Sequence, residues 1–403
     1  MNSPVLVNRL VLKNYKSIAA CSVPLGSLVF LVGQNGSGKS NFLDALRFVS
    51  DALHTSLDHS LRERSGIGEV RRRSGGHPNH FAIRLNFELP SGQMGHYSFQ
   101  IGAKESGGFE VQTEECRLVD AGRLDEQFYV VEKGCVVRTS VTVAPAAFAD
   151  RLYLVAASGL PQFRPVYDAL STMEVYNLNP KEISNLQKPD AGQVLRRDGG
   201  NASSIFRKLP QTARQQINGY LARIVQGIAD AETKPLGSQE TLEFRQAVKG
   251  QKHSWRFLAS SMSDGTLRAF GILLALFQNT AKEPGAPLLI GLEEPEMALH
   301  PAATSVLLSA LREASHQTQI LVTSHSPDLL DDENIATESL LAVDSLEGVT
   351  RIAPLDEAGR SVLHDRLFTP GELLRQNQLA PDAAALTEME TGRQLQLFEL
   401  LKP

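Results

Sequence analysis

Cysteine is scarce in this sequence. The three cysteines, Cys21, Cys116 and Cys135, stand far apart and form no C-x-x-C pair. This spacing suggests neither a disulfide framework nor a zinc knuckle. We therefore expect reduced thiols in a cytoplasmic protein.

Long apolar segments are also absent. The longest apolar run covers residues 269–277, whereas a membrane span needs roughly 18 apolar residues. Near the start of the chain, Arg9, Lys13 and Lys16 interrupt what would be the apolar core of a signal peptide. We expect no leader and no membrane segment, and hence an intracellular, soluble protein.

The sequence contains no sustained heptad pattern and no internal repeat. It also has no large excess of positive or negative charge. A formal net charge of −5 over 403 residues argues against a chain that coats nucleic acid generally, although it allows a local basic patch. No aromatic residues interleave the one candidate patch, so stacking on single strands is not indicated, and a solvated loop is the alternative interpretation. The residues of this patch are Arg62, Arg64, Arg71, Arg72 and Arg73.

One stretch near the start of the chain combines a buried strand, a glycine-rich loop and a helix. Residues Leu28–Val32 are all apolar, as in a buried strand, and the apolar residues that follow the loop have helical spacing. Glycines let backbone N–H groups converge on an anion, and the start of a helix adds its positive dipole. In such a G-x-x-x-x-G-K-S loop, Lys39 reaches the β/γ-phosphates and Ser40 binds Mg²⁺.

This stretch predicts a site for a nucleoside triphosphate with Mg²⁺. The residues that we expect to bind the nucleotide here are Gly33, Gln34, Asn35, Gly36, Ser37, Gly38, Lys39, Ser40 and Asn41.

The rest of the chain predicts an α/β fold. Apolar alternation indicates antiparallel strands before the loop and again between residues 81 and 142, and helices are indicated between 152 and 226. The last third alternates strand and helix, which is typical of a parallel sheet. We therefore expect a P-loop fold with a central mixed or parallel sheet, an antiparallel β-subdomain and a helical insertion. The expected division is 1–150, 151–258, 259–345 and 346–403.

Two later segments could complete a phosphate site. Ser263, Asp264 and Gly265 precede an apolar helix and would offer N–H donors to an anion, although an ordinary helix cap explains them as well. Glu293 and Glu294 follow an apolar strand, where carboxylates can hold Mg²⁺ and position a water molecule. The alternative for this acidic pair is a solvated turn.

A histidine supplies the third segment. His325 follows the apolar strand 319–323, and ligands of open α/β sheets bind at the carboxyl ends of strands. A lone histidine is more often structural, but its place and order here favour a functional role.

The order of these motifs resembles ABC-type ATPases, and more closely the soluble prokaryotic ATPases of the RecF-, SMC- and OLD-like group, which includes AAA_21-like proteins. The opening segment 12–18 and the residues Leu299, His300 and Pro301 strengthen this resemblance. The resemblance implies that Leu299 and His300 lie in a segment that crosses a dimer interface. It also implies a Mg²⁺-binding glutamine, for which Gln162 is the candidate.

The resemblance assigns further roles. The loop Ser263, Asp264 and Gly265 corresponds to a signature that caps the γ-phosphate bound by the opposite subunit. Glu293 corresponds to the Mg²⁺-associated carboxylate and Glu294 to the general base. His325 and Lys39 complete the catalytic set, with His325 as the switch histidine that contacts the γ-phosphate. The sequence departs from the usual pattern at Asp264, where glycine is common, at Glu293, where aspartate is common, and at Gly291.

These motifs predict an ATPase switch in which two chains, or a higher even number, sandwich ATP. The expected role is the ATPase sensor or scaffold of a prokaryotic antiphage defence system with a separately encoded effector. One alternative is a RecF-like repair ATPase that binds DNA. A second is a structural module that ATP stabilises with little turnover.

Overall fold

The computed structural model describes residues 5–74, 78–120, 126–248, 254–279, 285–390 and 395–399. Its strands are β1 (Val7–Tyr15), β2 (Ile18–Pro24), β3 (Leu28–Val32), β4 (His80–Glu88), β5 (Met94–Ala103), β6 (Phe109–Val119), β7 (Glu126–Glu132), β8 (Cys135–Thr139), β9 (Glu174–Tyr176), β10 (Ile228–Leu236), β11 (Gln239–Gln246), β12 (Trp255–Leu258), β13 (Leu289–Glu293), β14 (Gln319–Ser324), β15 (Leu340–Leu346) and β16 (Val349–Pro354).

The helices are α1 (Lys39–His54), α2 (Leu57–Arg62), α3 (Ile67–Val70), α4 (Tyr153–Ala157), α5 (Arg164–Ser171), α6 (Pro180–Ser184), α7 (Ala202–Lys208), α8 (Gln211–Ile224), α9 (Asp264–Phe277), α10 (Thr304–Ala314), α11 (Glu357–His364), α12 (Pro370–Arg375) and α13 (Ala383–Glu390). None of these helices is long and apolar enough to cross a membrane.

A large mixed sheet organises the described residues, with the strand order β8-β7-β6-β5-β4-β1-β2-β16-β15-β3-β14-β13-β9. Strands β3, β14, β13 and β9 pair in parallel. Strands β4 to β8 pair antiparallel, as do β1 with β2 and β1 with β4. The predicted α/β fold, with a parallel part and an antiparallel part, is therefore confirmed.

Two apolar cores stabilise the sheet. The first joins α1 to the antiparallel strands, where Tyr15, Phe48 and Phe81 meet in edge-to-face contacts. The second surrounds α9, which is apolar almost all round because it is buried on nearly every side. A smaller antiparallel sheet, β10-β11-β12, leads into α9. The phosphate loop and the signature segment thus start helices that belong to different cores.

The hairpin of β15 and β16 was not predicted. It inserts between β2 and β3, where Leu340 pairs with Phe30 and Thr350 pairs with Ile18. The strand β16 lies within the segment 346–403 that the sequence analysis set apart. The division of the chain into four segments stays a prediction.

A buried carboxylate fastens the start of α4 to the antiparallel strands. Glu114 is fully buried and accepts hydrogen bonds from the hydroxyls of Tyr97 (3.0 Å) and Tyr129 (2.9 Å). It also accepts from the backbone N–H groups of Tyr153 (2.5 Å) and Leu154 (2.8 Å). Burial raises the pKa of Glu114 to about 7, against the opposing effect of these donors.

We expect Glu114 to make stability depend on pH. Because its folded-state pKa exceeds the ordinary 4.5, its contribution is full below about pH 4.5 and is lost as the pH rises through about 7. The stability of the wild type relative to Glu114→Gln should therefore fall by about 2 kcal/mol between pH 5.5 and pH 8. Calorimetric Tm values of both proteins at the two pH values measure this, with the exposed Glu88→Gln as control. An equal difference at both pH values would contradict it.

Candidate functional site

The glycines of the phosphate loop are fixed by close neighbours and by backbone conformation. Gly38 has φ of 100°, and a Cβ there would lie 1.9 Å from the hydroxyl oxygen of Thr350. A Cβ on Gly33 would lie 1.9 Å from the carbonyl oxygen of Val343. Larger residues would therefore disturb the loop at both positions. The β15–β16 hairpin, which supplies both neighbours, supports the loop from behind.

Two residues outside the predicted set hold this loop in place. The Thr350 hydroxyl donates to the carbonyl of Ser37 (2.8 Å) and lies 2.7 Å from the hydroxyl of Ser17. Ser17 in turn accepts from the side-chain amide of Asn41 (2.6 Å). Ser17 stands in the segment that carried the family resemblance. Thr350 had no sequence signal, because its contact lies more than 300 residues away from the loop.

Lys39 is the first residue of α1, and its side chain reaches back into the loop. Its ammonium group donates to the carbonyls of Gly33 and Gln34, both at 2.8 Å. Burial lowers the pKa of Lys39, while the nearby carboxylates Glu294 and Glu296 act in the opposite direction. The cation therefore faces the acidic turn that follows β13.

The fold brings the phosphate loop, the acidic turn and the histidine together. The Ser40 hydroxyl donates to Glu293 at 3.4 Å. The backbone N–H of Glu294 donates to the carbonyl of Thr323 (3.0 Å), and Nδ1 of His325 lies 3.0 Å from a carboxylate oxygen of Glu294. These contacts join the start of α1 to the carboxyl ends of the neighbouring strands β13 and β14.

The acidic turn is held in an uncommon conformation. Glu294 has φ of 43°, in the left-handed region that non-glycine residues rarely adopt. Arg268 of α9 donates to the carbonyls of Glu293 (3.1 Å) and Glu294 (3.2 Å). Gly291, the departure noted in the strand, packs closely against β9, because a Cβ there would lie 3.0 Å from the side chain of Val175.

The donors at this edge suit Mg²⁺. A serine hydroxyl and a carboxylate are hard oxygen ligands, and Mg²⁺ is usually held by one or two carboxylates together with substrate phosphates. Burial raises the pKa of Glu293, with Ser40 opposing this shift. In the parts of the chain that the structure describes, no group of three or more His, Cys, Asp or Glu forms a closed metal site.

The position of Gln162 does not support its predicted role as a Mg²⁺ ligand. Tyr167 of α5 donates to the carbonyl of Leu53 near the end of α1, about 20 Å along the helix from Ser40. Gln162 is exposed and precedes α5 at that far end, so it does not join the cluster. The short helix α5 packs on α1 at that end, and the sequence pattern alone does not show where this helix packs.

The sheet register identifies a different amide. Strands β9 and β13 pair in parallel, with Tyr176 opposite Leu292. The next residues along the two strands, Asn177 directly after β9 and Glu293 at the end of β13, therefore lie at the carboxyl ends of adjacent strands. A polar residue directly after a short strand was the signal for Asn177, but the pairing of β9 with β13 could not be predicted.

The signature loop, residues 263–265, does not join the cluster around Ser40, Glu293 and His325 of its own chain. Ser263 caps α9 by accepting from the N–H of Thr266 (3.3 Å), and a Cβ on Gly265 would lie 2.4 Å from the carbonyl oxygen of Ala298. Ser263 and Asp264 are exposed. Among the described residues, no hydrogen bond joins this loop to the phosphate loop of its own chain.

The segment after the acidic turn shares a cleft with the signature loop. The cleft has a volume of about 340 Å³ and is lined by Ser263, Gly265, Leu299 and His300. His300 is exposed, and its ring accepts from the N–H of Ala302 (3.1 Å). The signature loop and the predicted interface segment therefore form one surface.

The arginine cluster is largely engaged within the chain. The side chain of Arg64 is 7% exposed and pairs with Asp44 (2.8 Å) and Asp51 (3.1 Å). Arg62 and Arg73 form ion pairs with acidic residues one helical turn away. These contacts favour a structural role over a nucleic-acid patch.

Comparisons with known proteins agree with this geometry. The model of the AAA_21 family, described as "AAA domain, putative AbiEii toxin, Type IV TA system", matches residues 28–124 and 179–331. An SMC head bound to the C-winged helix domain of ScpA is 14% identical, with 89% of this chain and 99% of that chain covered and a TM-score of 0.54. The Smc head of Pyrococcus furiosus, with an extended coiled coil and the C-terminal domain of ScpA, is 12% identical, with 90% and 99% covered and a TM-score of 0.54. A search of curated sequences finds no match.

Proposed function

Because the chain belongs to the AAA_21 family of AAA domains, we propose that it is an ATP-hydrolysing switch that works as an ATP-sandwiched dimer. The family match and the SMC-head fold confirm the predicted ABC-type, SMC-like P-loop ATPase. The observation that carries the proposal is the convergence of Ser40, Glu293, Glu294 and His325 beside Lys39.

Each residue of this cluster has a chemical task. The N–H groups of the loop and the Lys39 ammonium would hold the β/γ-phosphates. Ser40 and Glu293 would hold Mg²⁺, which neutralises phosphate charge, and Asn177 replaces Gln162 as the amide beside it. Glu294 would orient the attacking water and accept its proton, and its contact with His325 would help to direct the carboxylate at that position.

A second copy of the chain would supply the signature. Exposed N–H donors at the start of α9 suit an anion, yet they form no bond with the phosphate loop of their own chain within the described residues. In the dimer, Ser263, Asp264 and Gly265 would cap the γ-phosphate held by the partner, and Leu299 and His300 would line the interface. ATP then favours the closed dimer, and hydrolysis removes that preference.

The biological role that we propose is the ATPase sensor or scaffold of an antiphage defence system with a separate effector. The family description, which names a putative toxin of a toxin–antitoxin system, supports this class of role. The SMC heads with a similar fold were solved with ScpA bound, which supports a partner protein for this fold. A cytoplasmic location is part of this proposal.

Two other functions are distinguished by simple measurements. A RecF-like DNA clamp should lose DNA affinity steeply with salt in a gel-shift titration, because it releases counterions; the inward-facing Arg64 argues against it. A structural module that ATP merely stabilises should bind ATP without releasing phosphate.

The function is tested by Lys39→Ala. We expect wild-type protein with Mg²⁺ and ATP to release phosphate steadily. Lys39→Ala should weaken ATP binding by about 100-fold or more, because the loop loses its only lysine ammonium at the phosphates. Equilibrium binding and phosphate release measure this, with the exposed Lys181→Ala as control. Tight ATP binding by Lys39→Ala would contradict the proposal that this loop binds the ATP phosphates.

A further inference from the structure

A third carboxylate lies in the acidic turn, behind Glu293 and Glu294. Glu296 is 7% exposed, and its Oε1 accepts a hydrogen bond from the hydroxyl of Ser324 at 2.6 Å. The same hydroxyl accepts from the backbone N–H of Ser326 at 3.1 Å. The residue enclosed between these two serines is His325.

The turn and the end of β14 are therefore tied at two points. The first is the pair of bonds from the N–H of Glu294 to Thr323, with its carbonyl at 3.0 Å and its hydroxyl at 3.2 Å. The second is the bond between Ser324 and Glu296. The two ties therefore hold the backbone of β14 immediately before His325, and with it the position from which the histidine ring reaches Glu294.

The hydrogen bond to Ser324 does not by itself explain why the carboxylate of Glu296 is buried. The second oxygen of Glu296 is buried and has no hydrogen-bond partner among the described residues, and such burial is costly. Its charge is felt by Lys39 of α1 and by Arg268 of α9, while Glu294 and His325 face it from their own segments. Glu296 thus lies close to Lys39, Glu294 and His325, three of the groups that the proposed reaction uses.

We propose that Glu296 is a positioning residue that, through the hydroxyl of Ser324, holds His325 against Glu294. The inference rests on the proposed ATPase function for its kinetic consequence, but the position of His325 is a property of the chain alone. Glu296 touches no reacting atom in this scheme. It acts by fixing the strand end that carries the histidine.

The test compares Glu296→Gln, Glu296→Ala, Ser324→Ala and the double alanine variant. Gln keeps a side-chain oxygen that can accept from Ser324, so we expect its kcat to stay within about 3-fold of the wild type. Glu296→Ala and Ser324→Ala should each lower kcat by about 10- to 100-fold with little change in the Kd for Mg²⁺ and ATP, and the double variant should be no worse than either single one. The exposed Glu333→Ala is the control.

A second measurement does not depend on turnover. In protein labelled in the histidine rings, the His325 signal, assigned with His325→Gln, should shift more in Glu296→Ala and Ser324→Ala than in Glu296→Gln, which loses only the charge. An unshifted signal in the alanine variants would overturn the inference even if ATP hydrolysis is normal. Failure of the wild type itself to hydrolyse ATP would count against the proposed function, and the histidine signal would still decide the role of Glu296.

Discussion

Glu294→Gln is expected to lower the rate of ATP hydrolysis by about 100- to 10,000-fold, the usual contribution of a positioned general base. Glutamine keeps the shape of the side chain but cannot accept the proton of the attacking water. Glu294, with its left-handed backbone and with His325 3.0 Å from its carboxylate, lies in the turn that also carries Glu293, the carboxylate that accepts from Ser40.

Binding should survive this substitution. Glu294 makes no hydrogen bond to the phosphate loop among the described residues, so the Kd for ATP should change by less than about 3-fold. Single-turnover phosphate release and equilibrium binding separate the two effects, with the exposed Glu333→Gln as control. Hydrolysis at the wild-type rate in Glu294→Gln would show that Glu294 is not the general base.

Mixing two inactive variants should restore activity. Lys39→Ala lacks the phosphate-binding cation, and Ser263→Arg places a long side chain on the exposed signature loop. In a twofold symmetric dimer the mixed pair carries both defects in one site and neither in the other. Random pairing then gives up to about a quarter of the wild-type turnover, where each variant alone gives almost none.

The mixture also serves as its own control for folding. A variant that cannot fold cannot complement the other, so recovered turnover shows that both chains are intact. Turnover that stays at the mean of the two separate variants would mean that each chain completes its own site, contrary to the proposed sandwich.

Those parts of the site that are continuous in sequence could be predicted. Leu28–Val32, the glycine loop and the start of α1 follow one another, so local pattern and loop chemistry identified Lys39 and Ser40. Glu293 ends β13 and His325 directly follows β14, and the carboxyl ends of neighbouring parallel strands lie close together. The sequence therefore predicted that these residues lie close together, but it could not give the distances between them.

The support behind the loop could not be predicted, because it depends on pairing between distant strands. The β15–β16 hairpin reaches the loop only by inserting between β2 and β3. The apolar residues of its strands do not indicate which other strands they join. The contact between Thr350 and Ser37 therefore appears only in the folded chain.

The position of Gln162 relative to the cluster could not be predicted for a related reason. The motif order indicated an amide after the antiparallel strands, but not which residue ends the next strand of the parallel part. Strand β9 has only three residues and carries too little periodicity to be recognised. Its pairing with β13 brings Asn177 to the position beside Glu293.

The central claim, that ATP joins two chains, is tested most directly by the molar mass of Glu294→Gln in solution. Light scattering with Mg²⁺ and ATP should give twice the mass of one chain, and with ADP the mass of one chain, because only the γ-phosphate is held by both chains. Lys39→Ala should stay single with either nucleotide. A single chain at saturating ATP, or a dimer whose mass is the same with ATP and ADP, would contradict the account.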